Sequence, residues 1–467
     1  MHIGYRVFLA AAAVALSSCA GSGMSPQPEA RAPQAGSTQV NAAFKYTVHP
    51  RLQRISDLLL HNCPGGTACA LTPAGMNTAY DYSYFPGKFD GTGQTIVIVV
   101  AFGSPTIQSD LATFDGKAIA NLPAPPSFNI VFPGGKPTIN LSDTGELGWA
   151  EETTLDVEWA HAAAPGANIV LVVAANDQGN SIQNAQQFAV STYSNSIMSL
   201  SFGAQEATIS GGGNNTQLNQ AHKIYDQASD PNNPNDAHIT VVASAGDQGS
   251  SGTAFTFPNP QYPASDPFVL SVGGTNLTLA SNGKYAAETA WNDGIGNTGA
   301  TGGAPSTIWD QSLLPHQAAL RSTCTVQPAL AAGCRQVADV AFAGSDSAVA
   351  IYIGFTAPGV SPGLYAAGGT SVGAPMIAGI VAVANQQRAK LKIPKNGVGW
   401  ITDAIYANYS AAQIGTKPPF HDITAAGNNI FVNNLSPQCC SVGSGYDNPT
   451  GLGTPDINNL VNYLTAL

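Results

Sequence analysis

The string Gly368-Gly369-Thr370-Ser371-Val372-Gly373-Ala374-Pro375 sets one serine among small residues, just ahead of the apolar run Met376–Ala384. The pattern places Ser371 where a helix begins. With Ser371 as N-cap, Pro375 is the fourth helical residue, inside the first turn whose N–H groups are unpaired anyway. Small neighbours let a peptide backbone approach, and the helix dipole favours negative charge developing nearby. A serine so placed can act as a nucleophile, provided a base lies within reach. A lone serine at a helix start is more often a simple cap, so the assignment depends on its partners.

A base is offered by Glu151-Glu152-Thr153-Thr154-Leu155-Asp156-Val157-Glu158-Trp159. Glu152 and Asp156 are four apart and share one helix face. Such a cluster is ordinarily a solvated acidic face. Two features oppose that here. No Lys or Arg occurs from Pro137 to His222, a span of 86 residues, and Leu155 and Trp159 draw the segment into the core. Two carboxyls held close without a cation share a proton, and one pKa rises. That gives a general base usable at acidic pH, where an imidazole is already protonated. A third acid, Asp247, stands in Ser244-Ala245-Gly246-Asp247-Gln248-Gly249 after an apolar run. Turn aspartates are common in such strings, but a protonated Asp247 can donate a hydrogen bond to an oxyanion. None of the 8 His has a His-Gly-Thr context, and the first strand ends Val99-Val100-Ala101 without an acid. A neutral Ser–His–Asp protease is therefore excluded. His161 is a plausible helical residue and the only histidine held in reserve as a base.

The elements that position these residues are apolar, β-branched runs: 95–100, 168–173, 197–201, 239–243, 268–272 and 348–353. Runs without polar residues suit strands buried on both faces. Helical stretches are expected at about 149–163, 181–192, 213–228 and 371–387. The alternation predicts one large α/β domain with a mainly parallel sheet flanked by helices. Chemistry in such sheets sits at the carboxyl ends of strands, where Asp247 and the Ser371 loop fall.

From about Leu71 to Leu467 these motifs resemble the sedolisin family, serine-carboxyl peptidases with a subtilisin-like fold. The resemblance includes Asp90–Ile96, the Glu-x-x-x-Asp helix followed by Ala164-Pro165-Gly166-Ala167, Ser199–Gly203, Gly246-Asp247, Phe257–Asp266, Ser271–Thr275 and the Ser371 motif. It implies an acid-active endopeptidase working through an acyl-enzyme on Ser371. Glu152 would take the serine proton, Asp156 would hold Glu152 and share its proton, and protonated Asp247 would bond the oxyanion. It also implies one structural calcium ion held by Asp422, Ile423, Gly443, Gly445 and Asp447, a set that suits a hard cation. Three departures stand out. The catalytic-like region follows only about 75 residues, without the family's usual large propeptide. Val100 replaces an acid often found at the first strand's end. The usual Ser-Gly-Gly-Gly loop reads Thr301-Gly302-Gly303-Ala304-Pro305-Ser306. The alternative is a non-catalytic surface binding lipoprotein on the same scaffold.

Composition bears on compartment and partners. Charged residues are only 10% of the 467, and 17 basic against 28 acidic residues give −11. Nucleic acid is excluded, because phosphate binding needs clustered Lys and Arg. Protein or peptide substrates and a monomer are expected. Residues 1–18 read as a signal peptide, with Leu16-Ser17-Ser18-Cys19 resembling a bacterial lipobox. The expected location is extracytoplasmic, on a membrane through lipid on Cys19, or else secreted. Residues 19–75 read as tether and lead-in, and 76–467 as the peptidase domain. The tether, up to about residue 45, is rich in Gly, Ser, Pro, Ala and Gln. Six further cysteines predict disulfides, with Cys63–Cys69 and Cys324–Cys334 suggested by proximity. Cys439 and Cys440 are left open.

Overall fold

The computed structural model describes residues 44–467 except 56–69, 83–88, 211–215, 253–256, 294–298, 321–329, 331, 346–347, 395–396, 408, 410–416 and 425–439. The signal peptide, Cys19, the tether up to residue 43, Cys63, Cys69, Cys324 and Cys439 lie outside the described residues. Cys334 and Cys440 are disulfide-bonded.

In chain order the elements are β1 (Arg51–Arg54), α1 (Pro73–Ala79), β2 (Thr95–Ala101), α2 (Ile107–Phe114), β3 (Phe128–Val131), α3 (Thr144–Ala163), β4 (Asn168–Ala174), α4 (Gly179–Thr192) and β5 (Ile197–Leu200). There follow β6 (Ala204–Gln205), α5 (Glu206–Ser210), α6 (Thr216–Ser229), β7 (Thr240–Ser244), β8 (Gln261–Tyr262), β9 (Val269–Leu279) and β10 (Tyr285–Ala290). Next come β11 (Pro305–Asp310), α7 (Pro315–Leu320), β12 (Cys334–Gln336), β13 (Val340–Ala343), β14 (Val349–Ile353), β15 (Gly363–Gly368) and α8 (Gly373–Lys390). The main sheet runs β10-β9-β7-β5-β2-β4-β3, with β13 also on β9. All its pairings are parallel except β10 with β9. Helices cover both faces, so β2, β5 and β7 are almost wholly buried, as their unbroken apolar runs require. The architecture is a subtilisin-like α/β fold with a single domain.

Three differences from the sequence pattern have physical reasons. The run 348–353 is not in the main sheet: β14 pairs antiparallel with β15, and β15 with β1. It reads as a central strand because α2 and α3 pack on it; the Trp159 indole donates to the Ala350 carbonyl at 2.9 Å. The main-sheet strand beyond β9 is instead β13, only four residues long. The lead-in also belongs to the fold: Phe44 and Tyr46 are buried and β1 is paired.

Two helices matter most. α3 starts at an Asp143 cap, whose Oδ1 accepts from the Gly145 and Glu146 amides. From Trp149 to Ala163 all of α3 except Glu151 is buried. α8 crosses it closely: a Cβ on Gly379 would lie 2.3 Å from the Ala163 Cβ. Glycine there lets the helix bearing the two acids sit against the helix that follows Ser371.

Candidate active site

Ser371 lies in a single 3-10 turn, Thr370–Val372, between β15 and α8. It is not the N-cap. α8 begins at Gly373 with Val372 in the cap position, so Pro375 is its third residue, still within the first turn. The turn is entered through Gly369 at φ 111°. That φ is strained for any side chain, and a Cβ would lie 2.5 Å from Asp247 Oδ2. The fold thus needs glycine here to bring Asp247 beside the serine.

Glu152 and Asp156 are both fully buried in the middle of α3. Burial pushes the Glu152 carboxyl well up, the neighbouring Asp156 charge adds to this, the Ser371 hydroxyl opposes it, and Asp247 and Glu151 add smaller repulsions. Ser371 is therefore within electrostatic reach of Glu152, yet among the described residues neither Glu152 oxygen has a hydrogen-bond partner. Serine–base contacts are often long in the absence of substrate and tighten when it binds. Asp156 is also raised, first by burial, with Ser201 opposing. Its Oδ1 accepts from the Ser201 hydroxyl at 2.5 Å, while Oδ2 is unpartnered. Two buried carboxyls with three unpaired oxygens and no cationic partner among the described residues cannot both ionise readily.

Asp247 follows β7. Its Oδ1 accepts from the Thr370 amide at 2.8 Å and the Thr370 hydroxyl at 2.7 Å. The Thr370 hydroxyl accepts in turn from the Gly246 amide at 3.0 Å. The structure thus brings Ser371, Glu152, Asp156 and Asp247 together. His161 stays apart: its Nε2 contacts the Pro123 carbonyl at 2.9 Å and Asp115 at 3.3 Å, neither in this site. Two residues that sequence reasoning passed over help build the site. Ser201 ties Asp156 to the nucleophile loop, lying 3.5 Å from the Ser371 carbonyl. Thr370 holds Asp247. Both lie inside quoted motifs, but a hydroxyl within a motif carries no signal of its own role.

At the C-terminal end, Asp422 Oδ2 accepts from the Gly445 amide at 2.8 Å and Asp447 Oδ2 from the Gly443 amide at 3.0 Å. Asp447 Oδ1 takes both the amide and the hydroxyl of Thr450. Burial pushes Asp447 up to about 6, with Asp422 repulsion adding to it. No described ion pair involves either acid. Two mutually repelling carboxylates, Asp422 after the strand Phe420–His421 and Asp447 in the glycine-rich stretch 443–451, suit a hard cation completed by backbone carbonyls. Among the described residues, no group of three or more His, Cys, Asp and Glu side chains is placed to hold a metal. Any cation here therefore depends on carbonyl oxygens.

Residues 148–396 match the family model described as Subtilase family. Kumamolisin of Bacillus sp. (strain MN-32) is 33% identical over 396 residues, 83% of this chain and 62% of that protein. Sedolisin of Pseudomonas sp. (strain 101) is 26% identical over 434 residues, 90% of this chain and 65% of that protein. The chain thus spans less than two thirds of the length of either relative. A solved Pseudomonas sedolisin, a serine-carboxyl proteinase complexed with two molecules of pseudo-iodotyrostatin, superposes with a TM-score of 0.67 at 26% identity. The match covers 86% of this chain and 99% of that one.

Proposed function

The chain belongs to the subtilase family, among its sedolisins, and we propose that it is a serine-carboxyl endopeptidase acting on proteins or peptides at acid pH. One observation carries this reading: a buried, cation-free carboxyl pair on α3 faces a serine presented beside a third acid.

In the proposed reaction Ser371 Oγ attacks the peptide carbonyl carbon while Glu152 takes its proton. Asp156, sharing a proton with Glu152, keeps one negative charge on the pair. Asp247 donates to the oxyanion. Both Thr370 hydrogen bonds fall on Oδ1, so the proton to be donated belongs on Oδ2. Glu152 then returns its proton to the leaving amine as the C–N bond breaks, leaving an acyl ester on Ser371. Water, deprotonated by Glu152, cleaves the ester and restores the serine.

Asp422 and Asp447, with carbonyls of Ile423, Gly443 and Gly445, would hold one calcium ion. That ion would neutralise the two acids and stiffen the loop, and it takes no part in the reaction. An extracytoplasmic location, with lipid on Cys19, fits the low charge content and the Leu16–Cys19 string. The test is digestion of a denatured protein from pH 3 to pH 8 by wild type and Ser371→Ala. Cleavage at acid pH by wild type alone is expected; equal cleavage by the folded variant overturns the proposal.

A further inference from the structure

β14 is an edge strand, and side chains of α3 bond its outer edge. On the inside it pairs with β15, Val349 opposite Ala367 and Ile353 opposite Gly363. On the outside one bridge to Leu71 covers its start. Beyond that bridge the Ala350 carbonyl takes the Trp159 indole N–H at 2.9 Å, and the Tyr352 amide donates to Glu158 Oε2 at 3.0 Å. An unpaired strand edge is a liability that folds cover, and here two successive residues of α3 cover it. The same helix carries Glu152 and Asp156, while β15 leads through Gly369 into the Ser371 turn. Glu158 and Trp159 therefore tie the helix with the acids to the strand pair that presents the serine.

The surroundings of Glu158 suit only one of its charge states. Glu158, Asp110 and His161 are fully buried, and Asp115 nearly so. Asp110, on α2, accepts from the Thr106 hydroxyl at 2.7 Å and lies against Gly354, directly after β14, leaving no room for a Cβ there. Asp115, at the end of α2, lies 3.3 Å from His161 Nε2. Among the described residues no Lys or Arg pairs with Glu158, Asp110 or Asp115, and Glu158 Oε1 has no hydrogen-bond partner. The other elements packed on α3 bring no charge to it. α1, β2 and β4 hold no ionisable side chain, and the cations of α8 are engaged elsewhere, Arg388 with the Thr465 carbonyl and Lys390 with the Phe89 ring. Burial pushes the Glu158 carboxyl well up, the Tyr352 amide opposes this, and Asp110 and Asp115 add repulsion. A carboxylate accepts from an amide more strongly than a neutral carboxyl does, yet one N–H does not offset lost hydration and two neighbouring acids.

Resting on the peptidase reading above, we propose that Glu158 is a positioning residue and a pH latch: protonated, it holds the strand pair that presents Ser371 against the helix that carries Glu152 and Asp156. Ionised, it is relieved by moving toward solvent, and the Tyr352 amide is released with it. The outer edge of β14 then keeps only its bonds to Trp159 and Leu71, and Ser371 loses its set against Glu152. Rising pH thus disarms the protein by a route that involves none of the four catalytic groups. The latch is closed below the ordinary Glu range near about 4 and is lost as pH rises toward the value in the folded protein.

Glu158→Gln keeps an acceptor for the Tyr352 amide and carries no charge at any pH, whereas Glu158→Leu removes the acceptor at every pH. Full-length wild type and both variants, with melts recorded at pH 4, are compared for kcat and KM at pH 4 and for the half-life of that activity during incubation at pH 7. Deuterium exchange of the β14 amides, wild type against Glu158→Gln at the same pH, reads the latch without any substrate. At pH 4 Glu158→Gln should keep at least about half of the wild-type kcat, and Glu158→Leu should lose at least about tenfold in kcat with KM little changed, as for a misplaced nucleophile. At pH 7 Glu158→Gln should outlast wild type by at least about fivefold. Its β14 amides should exchange at least about fivefold more slowly at pH 7, with no difference at pH 4. Equal half-lives and equal exchange at pH 7 overturn the latch, while acid cleavage by wild type leaves the peptidase reading intact. Slower exchange in Glu158→Gln at pH 7, in a protein that cleaves nothing at pH 4, upholds the latch and sinks the peptidase reading instead. A folded Glu158→Leu with wild-type kcat at pH 4 overturns the positioning role; should that variant fail to fold, the Glu158→Gln comparison at the two pH values still decides.

Discussion

Two regions of the molecule each hold a pair of carboxyls close together with no cationic side chain paired to them among the described residues, and they differ in how those carboxyls are bonded. On α3, Glu152 and Asp156 are fully buried and only Asp156 has a hydrogen-bond partner, Ser201. Near the C-terminus Asp422 is half-buried and Asp447 is buried, and both accept backbone amides. Hydrogen bonds from backbone amides favour the charged form of a carboxyl and so oppose the effect of burial. A carboxyl sealed among apolar side chains relieves repulsion by keeping a proton. Hydrogen bonding, rather than residue type, separates the buried α3 pair from the proposed cation site.

The largest expected effect bears on the buried pair's purpose. Ser371→Ala should lower kcat by about 10⁵-fold or more, the order seen when a serine peptidase loses its nucleophile. Steady-state kinetics on the folded variant checks it, and an unchanged rate removes the pair's role as base. Next comes the third acid. Asp247→Ala should cost about 10²–10³-fold in kcat, as for loss of one oxyanion donor. Asp247→Asn keeps an acceptor for Thr370 and a donor at every pH. It should lose activity at the acid optimum yet lose proportionally less toward neutral pH. Equal loss by both variants at all pH values would show that Asp247 merely props the Thr370 turn.

The C-terminal pair gives smaller effects, on stability. Chelation should lower the melting temperature and calcium restore it, with about 2.7 kcal/mol at a hundred times the dissociation constant. Asp447→Ala should abolish that response. Identical melts of metal-free and calcium-loaded protein would place both pairs in the same class. The smallest effect comes from Glu158, on the same helix as Glu152 and Asp156 but bonded to the Tyr352 amide. Burial raises its pKa well above the ordinary value, with Asp110 and Asp115 adding repulsion. The folded protein then holds that proton more tightly than the unfolded chain. Stability from this group is full below the unfolded value of about 4 and falls as pH rises toward the folded value. Glu158→Gln should therefore raise the melting temperature by about 1–3 °C at pH 7.5 and hardly at pH 4. A rise at pH 4 as large as that at pH 7.5 would locate the effect in packing instead.

Much of this was legible in the sequence. The buried strands β2, β4, β5 and β7 are marked by unbroken β-branched runs, and the four catalytic candidates by short motifs of unusual composition. β13 was illegible because four residues carry too little periodicity. β14 was misplaced because burial by α2 and α3 mimics a central strand. The Ser371 turn was read as a cap because one 3-10 turn shifts a helix start without changing composition. The place of the lead-in in the fold follows from the pairing of β1 with the distant β15, which local composition does not encode.

The central claim is that a buried carboxyl pair, carrying one negative charge, is the base for Ser371. The pH dependence of kcat/KM tests it most directly. The pair must have lost one proton while Asp247 keeps its own, so the profile should be a bell with its maximum below about pH 6 and little activity at pH 7. Its limbs belong to the coupled groups rather than to any single residue. A rate that instead climbs through neutrality to a plateau above pH 7 would contradict the carboxyl base.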